Sequence, residues 1–204
     1  MSKVPAIGVE LREPFDRFVE LLGVATAVGP ERLPEPTAFA LGTVGLDGQP
    51  SVRILLLKAV DVRGFAFYTN YESRKGGELL SHPQAAMCFH WQPLERQVRV
   101  EGIAERVSDE EADAYFASRP RESQLGAWAS RQSQPLEHPG ALDERYREFE
   151  ARFANGPVPR PPHWSGFRLV PKRIEFWHQG PSRLHDRLVY TREGDGWRTE
   201  VLYP

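Results

Sequence analysis

The stretch "SRLHDRLVYTR" places Arg183, His185 and Arg187 at every second position. Along a strand, alternate side chains share a face, so the three would project together, with Leu184, Asp186 and Leu188 opposite. Two guanidiniums and an imidazole on one face repel one another unless an anion or a polar ligand lies over them. The plainer reading is a solvated edge strand whose charges discourage aggregation. Three further stretches pose the same choice. In "SVRILLLK", Arg53 and Lys58 stand five apart among Leu and Ile. That odd separation directs them to opposite faces unless a bulge intervenes. Each then calls for an anionic partner, or for a stem long enough to reach water. In "ESRKGG", Arg74 and Lys75 fall in the first turn of an expected helix, where the positive end of the macrodipole disfavours them. A bound phosphate reverses that penalty, and Gly76 and Gly77 let a backbone come close; an ordinary exposed Lys/Arg pair is the alternative. In "AYFASRPRESQ", Tyr115 and Arg119 are four apart on one helix face, Pro120 stops the helix, and Ser123 is placed to cap the next. A guanidinium and two hydroxyls would converge there on one phosphate. One phosphorylated ligand does not need so many cations; two do.

The elements that must position these groups follow from periodicity. "REPFDRFVELLGVATAV" has helical spacing, with Phe15, Phe18, Val19 and Leu22 on one face, and "GPERLPEP" breaks it. From Thr37 the period becomes that of strands: "TAFALGTV", a turn at Asp47-Gly48, "PSVRILLLKAV" as one strand, a turn at "DVRG", then "FAFYTN". A short helix from "ESRKGGELL" ends before His82-Pro83. "AAMCFHW" and "RQVRVEGIAERV" are strands joined by "QPLE". Ser108 with Glu111 makes a capping box for "DEEADAYFASR", and "ESQLGAWAS" and "ALDERYREFEARFANG" are further helices. "FRLVPKRIEFW", "RLVYTR" and "WRTEVLY" complete the sheet. Strands linked mostly by tight turns, with helices between groups of them, indicate an α+β fold built on an antiparallel barrel. The absence of regular β-α-β alternation argues against a doubly wound parallel sheet.

Composition narrows the partners. The 204 residues suit one domain, and 40% apolar and 11% aromatic content suit a globular core. A formal charge of -2 gives no general drive toward nucleic acid or an anionic membrane, so any anion site is local. The lone Cys88 excludes an internal disulfide and a multi-cysteine zinc site, and its apolar run marks it as a buried, inert thiol. His82, His90, His138, His163 and His178 lack close ligand spacing, so no metal is expected. No secretory core or membrane-length apolar run is present, which makes the cytoplasm the expected location.

Taken together, "RILLLK", "FYTNYESRKG", "ERQVRVEG", "YFASRPRESQLGAW", "SRQS", "IEFW" and "RLHDR" occur in the order and spacing of one family. From Pro36 to Pro204 the chain resembles the pyridoxine/pyridoxamine 5'-phosphate oxidases. The resemblance implies a homodimer of Greek-key, FMN-binding split β-barrels with peripheral helices, residues 1–204 forming one domain with a divergent helical extension over 1–34. FMN would lie at the subunit interface. Pyridoxine or pyridoxamine 5'-phosphate would be oxidised to pyridoxal 5'-phosphate by hydride transfer from C4' to flavin N5, dioxygen taking the electrons to give peroxide. Carried over by motif, Arg53, Ile54, Leu55, Leu56, Lys58, Tyr68, Thr69, Arg74, Lys75, Gln97, Gln132, Ser133, Trp177 and Arg187 would contact FMN. Lys58, Tyr115, Arg119 and Ser123 would cradle the substrate phosphate. Arg183 and His185, with Leu184 between them, would meet the pyridine ring and serve as the catalytic pair. Trp177 reads from its own surroundings as a core residue, so its flavin contact rests on the resemblance. The chain departs from the family pattern at Ser165, where Gly is usual, and in "MSKVPAIGVELREPF", which has Arg12 but no Tyr three residues away to form a substrate lid. Two other functions fit the same elements: a flavin oxidase of another aromatic substrate, of the phenazine type, and a flavin- or haem-binding split barrel without turnover. The phosphate cradle argues against the first, and the Arg183–His185 pair against the second.

Overall fold

The structure is a computed structural model that describes residues 10–204, so most of the segment in which a lid was sought lies outside the described residues. Among them are five helices and nine strands, all strand pairs being antiparallel. Helix α1 (Glu13–Ala27) opens behind Arg12 with Pro14 in its first turn and Glu13 and Asp16 on the positive end of its dipole. Its buried stripe is Phe15, Phe18 and Ala25, with Leu22 partly covered. Val19, expected on that stripe, is 50% exposed. Spacings of three and four keep positions 15, 18, 22 and 25 in line, whereas 19 stands a further 100° round from Phe18.

Strands β1 (Ala38–Val44) and β2 (Pro50–Leu56) form the expected hairpin, with Gly48 at φ 79° in the turn. The long strand anticipated after it is two. The chain leaves β2 at Leu56, Lys58 donates its backbone N–H to Ala66, and β3 (Ala59–Asp61) then pairs with β4 (Gly64–Asn70). Lys58 therefore stands in the connection, and parity along a strand does not govern it. Helix α2 (Arg74–Ser81) leads to β5 (Gln84–Trp91) and β6 (Arg96–Arg106). Helices α3 (Asp109–Ser118), α4 (Arg121–Ala129) and α5 (Ala141–Arg152) precede β7 (Trp164–His178), β8 (Asp186–Glu193) and β9 (Gly196–Val201).

The sheet runs β2-β1-β5-β6-β7-β4-β3, with β8 and β9 continuing from the far half of β7. Fifteen-residue β7 holds the sheet together. Its first half pairs with β4, its second half with β8, and β6 runs along its other edge. The curled inner face carries Phe39, Leu41, Phe67, Met87, Phe89, Val98, Val100 and Ile174, and α1 seals it. Phe18 lies 4.9 Å from both Phe65 and Phe89, and 5.9 Å from Trp91. Burial of such rings contributes about 1.5–3 kcal/mol each.

The outer face is different. One cross-strand row reads Ile54, Ala40, Cys88, Arg99, Glu175, Val189, and the next Val52, Gly42, Ala86, Glu101, Arg173, Thr191. Small side chains make a flat shelf in the middle, flanked by apolar β2 residues at one end and charges at the other. Val52 is 71% exposed and Ile54 65%.

A second apolar cluster, Phe116, Leu125, Ala129, Phe149, Val158 and Trp164, docks α3–α5 against the start of β7. Charged ties fix α3. The Ser108 hydroxyl accepts from the Glu111 N–H as expected of a cap, but the Glu111 carboxylate does not reach back. It pairs instead with buried Arg168 at 2.9 Å and with Arg63 at 2.9 Å, while Arg160 binds Asp109 and Asp113.

Candidate active site

A cavity of about 700 Å³ lies between the β2 end, β4, α2 and the α3–α4 corner. It brings together Ile54, Leu55, Leu56, Lys58, Tyr68, Thr69, Lys75, Tyr115, Arg119, Ser123 and Gln132, residues separated by up to 78 positions in sequence. An aromatic stack forms one wall. Tyr68 lies 4.0 Å from Tyr115 and 5.6 Å from Trp164, nearly parallel to both, and the Arg119 guanidinium sits 4.6 Å from the Trp164 ring.

Among the described residues Arg119 has no carboxylate acting on it, and its Nη1 is buried without a hydrogen-bond partner. Burial pushes its pKa down, with Tyr115 acting weakly the other way, and burial pushes the Tyr115 and Tyr68 hydroxyls up. A desolvated cation with an open N–H, beside two protonated phenols, is a site for an oxyanion. The helical expectation for this corner needs correction. Helix α3 ends at Ser118, so Arg119 is extended (ψ 150°), and its distance from Tyr115 is set by the corner rather than by a helix face. Ser123 caps nothing. Pro120 is the N-cap of α4, and Ser123 lies inside the first turn, its hydroxyl left for the cavity.

The opening of α2 matches its expectation. Ser73 caps the helix, and Arg74 and Lys75 are its first residues. Lys75 is buried; its Nζ donates to Thr69, Ser73 and Gln132 at 3.3, 3.3 and 3.1 Å, and burial, then Arg53, push its pKa down. The Arg74 N–H donates to Ser133 Oγ at 3.2 Å. Gly76 is needed by the fold rather than by a ligand, since any Cβ there would strike the carbonyls of Asn70 and Tyr71. Gly77 faces open space.

Arg53 finds its anion inside the protein. Its Nη2 meets Glu78 at 3.2 Å and Ser51 at 2.6 Å, and its Nη1 meets the Leu41 carbonyl at 3.2 Å and the Thr43 hydroxyl. Glu78 also accepts from Thr43 and Arg74. Burial works against ionisation of Glu78, but these bonds and the Arg53 charge hold its carboxyl at about 2.

A second group lies on the outer face. Gln97, Trp177 and Arg187 are cross-strand neighbours on β6, β7 and β8. Arg187 is not held out for a ligand alone: Nε and Nη2 bind Glu175 at 2.8 and 3.2 Å. Glu175 is 1% exposed and also takes Arg173 and Arg99. Despite burial, those three guanidiniums bring its carboxyl to about 2. The single-strand reading of Arg183, His185 and Arg187 is overturned. Pro181–Arg183 is a 3-10 turn with Ser182 and Arg183 at φ 54° and 64°, and β8 begins only at Asp186. Gly180 permits the turn, because a Cβ there would collide with the Leu184 carbonyl. The Gly180 N–H donates to His185 Nδ1 at 3.3 Å, and the imidazole packs 4.7 Å from the half-buried Trp177 ring. Trp177 is thus a surface platform rather than core. Arg183 and Leu184 are exposed. Ser165 is buried opposite Thr69 in β7, and the lone Cys88 is half-buried, its thiol pushed up by burial.

The two groups do not meet within one chain. Trp164 lines the cavity and Trp177 carries the outer group, thirteen residues along the same strand, a path of about 40 Å if straight. Sequence reasoning missed both glutamates and Trp164. Glu78 was visible as an i+4 partner of Arg74, whereas Glu175 needs the strand register to be seen as a partner of Arg99 and Arg187.

Known proteins resemble this chain in sequence and fold. The family described as "Pyridoxamine 5'-phosphate oxidase" matches residues 30–178, and "Pyridoxine 5'-phosphate oxidase C-terminal dimerisation region" matches 164–204. The chain belongs to the pyridoxine/pyridoxamine 5'-phosphate oxidase family. A pyridoxine/pyridoxamine 5'-phosphate oxidase of Myxococcus xanthus is 60% identical over 195 residues, covering 94% of this chain and 92% of the relative. One from Rhodospirillum rubrum is 57% identical, covering 96% and 98%. Among solved structures, PhzG from Burkholderia lata, in complex with tetrahydrophenazine-1-carboxylic acid, superposes with a TM-score of 0.87 at 34% identity over 94% of this chain and 92% of that one. A pyridoxamine 5'-phosphate oxidase-related, FMN binding protein from Nostoc punctiforme gives 0.72 at 17% identity and shares the fold. Family membership makes the protein an oxidoreductase, and the matched dimerisation region makes it a homodimer.

Proposed function

We propose that the protein is an FMN-dependent oxidase that converts pyridoxine or pyridoxamine 5'-phosphate to pyridoxal 5'-phosphate, with dioxygen reduced to peroxide. The observation that carries this reading is Arg119, a half-buried guanidinium whose Nη1 is buried without a hydrogen-bond partner among the described residues, lining one cavity with Tyr115, Ser123 and Lys58. The donor set fits a phosphate monoester, and Lys75 at the start of α2, an ammonium hydrogen-bonded only by neutral oxygens, fits a second one. The first would hold the substrate ester. The second, with Arg53, Arg74, Thr69, Gln132 and Ser133, would hold the cofactor ester, and Ile54, Leu55, Leu56 and Tyr68 would border the ring. Bound FMN supplies the two-electron acceptor that the side chains lack.

The outer group completes the site from the partner subunit. The flat shelf between Ile54 and Arg99, with Val52 and Ile54 uncovered, suits self-association, and a second copy laid over it is the means by which Gln97, Trp177 and Arg187 reach a ligand held at the cavity. Arg183 and His185, with Leu184 between them, would then face the substrate ring. The Gly180 N–H donates to His185 Nδ1, which puts the proton of the neutral imidazole on Nε2 and makes that nitrogen a hydrogen-bond donor toward the substrate ring. Residues 1–204 act as one unit, and the free thiol of Cys88 suits the reducing cytoplasm.

The test is direct. The purified protein should carry a flavin spectrum and should release aldehyde and peroxide from pyridoxine 5'-phosphate and pyridoxamine 5'-phosphate. A protein that binds FMN but turns over neither ester, or one that binds no flavin, contradicts the proposal. The substrate-phosphate cradle disfavours a phenazine-type reaction, which offers it no ester.

A further inference from the structure

Lys75 lines the cavity, Arg53 and Arg74 stand behind it, and Glu78 is the carboxylate set among these cations. Three cations, Arg53, Arg74 and Lys75, gather at the opening of α2, and one carboxylate stands among them, leaving a surplus of two positive charges. A phosphate monoester carries about two negative charges at neutral pH. Glu78 is 8% exposed and saturated: it accepts from Thr43 Oγ1 at 2.5 Å, Ser51 Oγ at 2.7 Å, Arg53 Nη2 at 3.2 Å and Arg74 Nε at 2.9 Å.

Removing it would not misplace most of the cradle. Arg53 would keep the Leu41 carbonyl and the hydroxyls of Thr43 and Ser51. Lys75 would keep Thr69, Ser73 and Gln132, all neutral. Arg74 alone would lose its tether, and its Nη atoms make no hydrogen bond among the described residues in any case. Position is therefore supplied largely by neutral oxygens, and what Glu78 adds is charge.

We infer that Glu78 is a built-in counter-anion: it neutralises the cation cluster when no phosphate ester is bound and restrains the attraction for the ester when one is. The inference rests on the reading of Arg53, Arg74 and Lys75 as holders of the cofactor phosphate. It gives Glu78 an effect on affinity opposite in sign to that of a residue needed to build the site. Loss of the carboxylate should weaken the empty protein and tighten ester binding.

The experiment uses the full chain stripped of flavin, titrated with FMN and with riboflavin, which lacks the phosphate, and melted with and without each. Glu78→Gln keeps an acceptor for Thr43 and Ser51 while removing the charge. The expected result is a lower melting temperature without ligand and a preference for FMN over riboflavin raised about tenfold, equivalent to about 1.4 kcal/mol, with riboflavin affinity unchanged. An unchanged or reduced preference overturns the inference. A variant that fails to fold alone should fold in saturating FMN, and one that stays unfolded there also overturns it. Lys75→Ala separates the two layers of the argument. If it leaves the preference of the otherwise native protein intact, the cradle itself is misassigned; if it abolishes the preference while Glu78→Gln does not raise it, only the role of Glu78 fails.

Discussion

Arg119 at the α3–α4 corner and Arg187 on β8 are both guanidiniums, yet one is open and the other is closed. Arg187 shares Glu175 with Arg99 and Arg173, so its charge is answered inside the protein. Arg119 has a tryptophan face, a phenol and, among the described residues, no carboxylate. The contrast separates two uses of positive charge. A cation with a buried carboxylate belongs to the scaffold and can offer a ligand only its remaining N–H groups. A buried cation without one costs free energy until a ligand arrives, and persists because a ligand does.

That contrast can be broken from the scaffold side first. Glu175→Ala should be the most damaging change, since it leaves three partly buried guanidiniums facing one another without their shared anion. A loss of about 3–5 kcal/mol is expected by urea denaturation, and a loss below about 1 kcal/mol would mean that Glu175 is not the hub it looks to be. On the ligand side, Arg119→Met should do the reverse: stability held or slightly raised, but KM for the phosphorylated substrate raised about a hundredfold, the worth of about 2.7 kcal/mol of charged hydrogen bonding. Steady-state kinetics beside a melting curve checks both halves.

Acid sharpens the comparison further. Glu78 and Glu175 both have carboxyls held near 2, below the ordinary value of 4.5. A depressed folded-state pKa stabilises the fold above the unfolded value, and that contribution drains away as pH falls from about 4.5 toward 2. Denaturation midpoints measured across this window should fall, and Glu175→Gln should flatten the fall. The smallest effect belongs to an exposed pair. Arg131 and Glu137 meet at 2.8 Å with both side chains more than half exposed, so Arg131→Ala should cost under about 1 kcal/mol.

The sequence carried the strand pattern well, because Phe39 and Leu41 alternating with Ala40 and Gly42, and Asp47-Gly48 between two strands, obey local rules. It placed Arg74 and Lys75 in a helical first turn for the same reason. It failed where the answer lay across the sheet. Nothing near Arg53 or Arg187 in sequence announces Glu78 or Glu175, which arrive by tertiary packing and strand register. It also failed at the "SRLHDR" turn. Alternation suggested a strand, but Gly180 and Pro181 bend the chain so that Arg183 takes a positive φ, a conformation that local pattern does not predict. The corner proposed to hold the substrate phosphate was misread in its geometry, with Arg119 and Ser123 set by the α3–α4 corner instead of by a helix face and a cap.

The measurement that bears most directly on the account is the preference for phosphorylated over unphosphorylated substrate, as kcat/KM for pyridoxine 5'-phosphate against pyridoxine, in the native protein and in Arg119→Met. If the open guanidinium of the cavity holds the ester, the native preference should be large and the variant should lose about a hundredfold of it, with flavin content unchanged. A variant that keeps the native preference would contradict the assignment of the cavity.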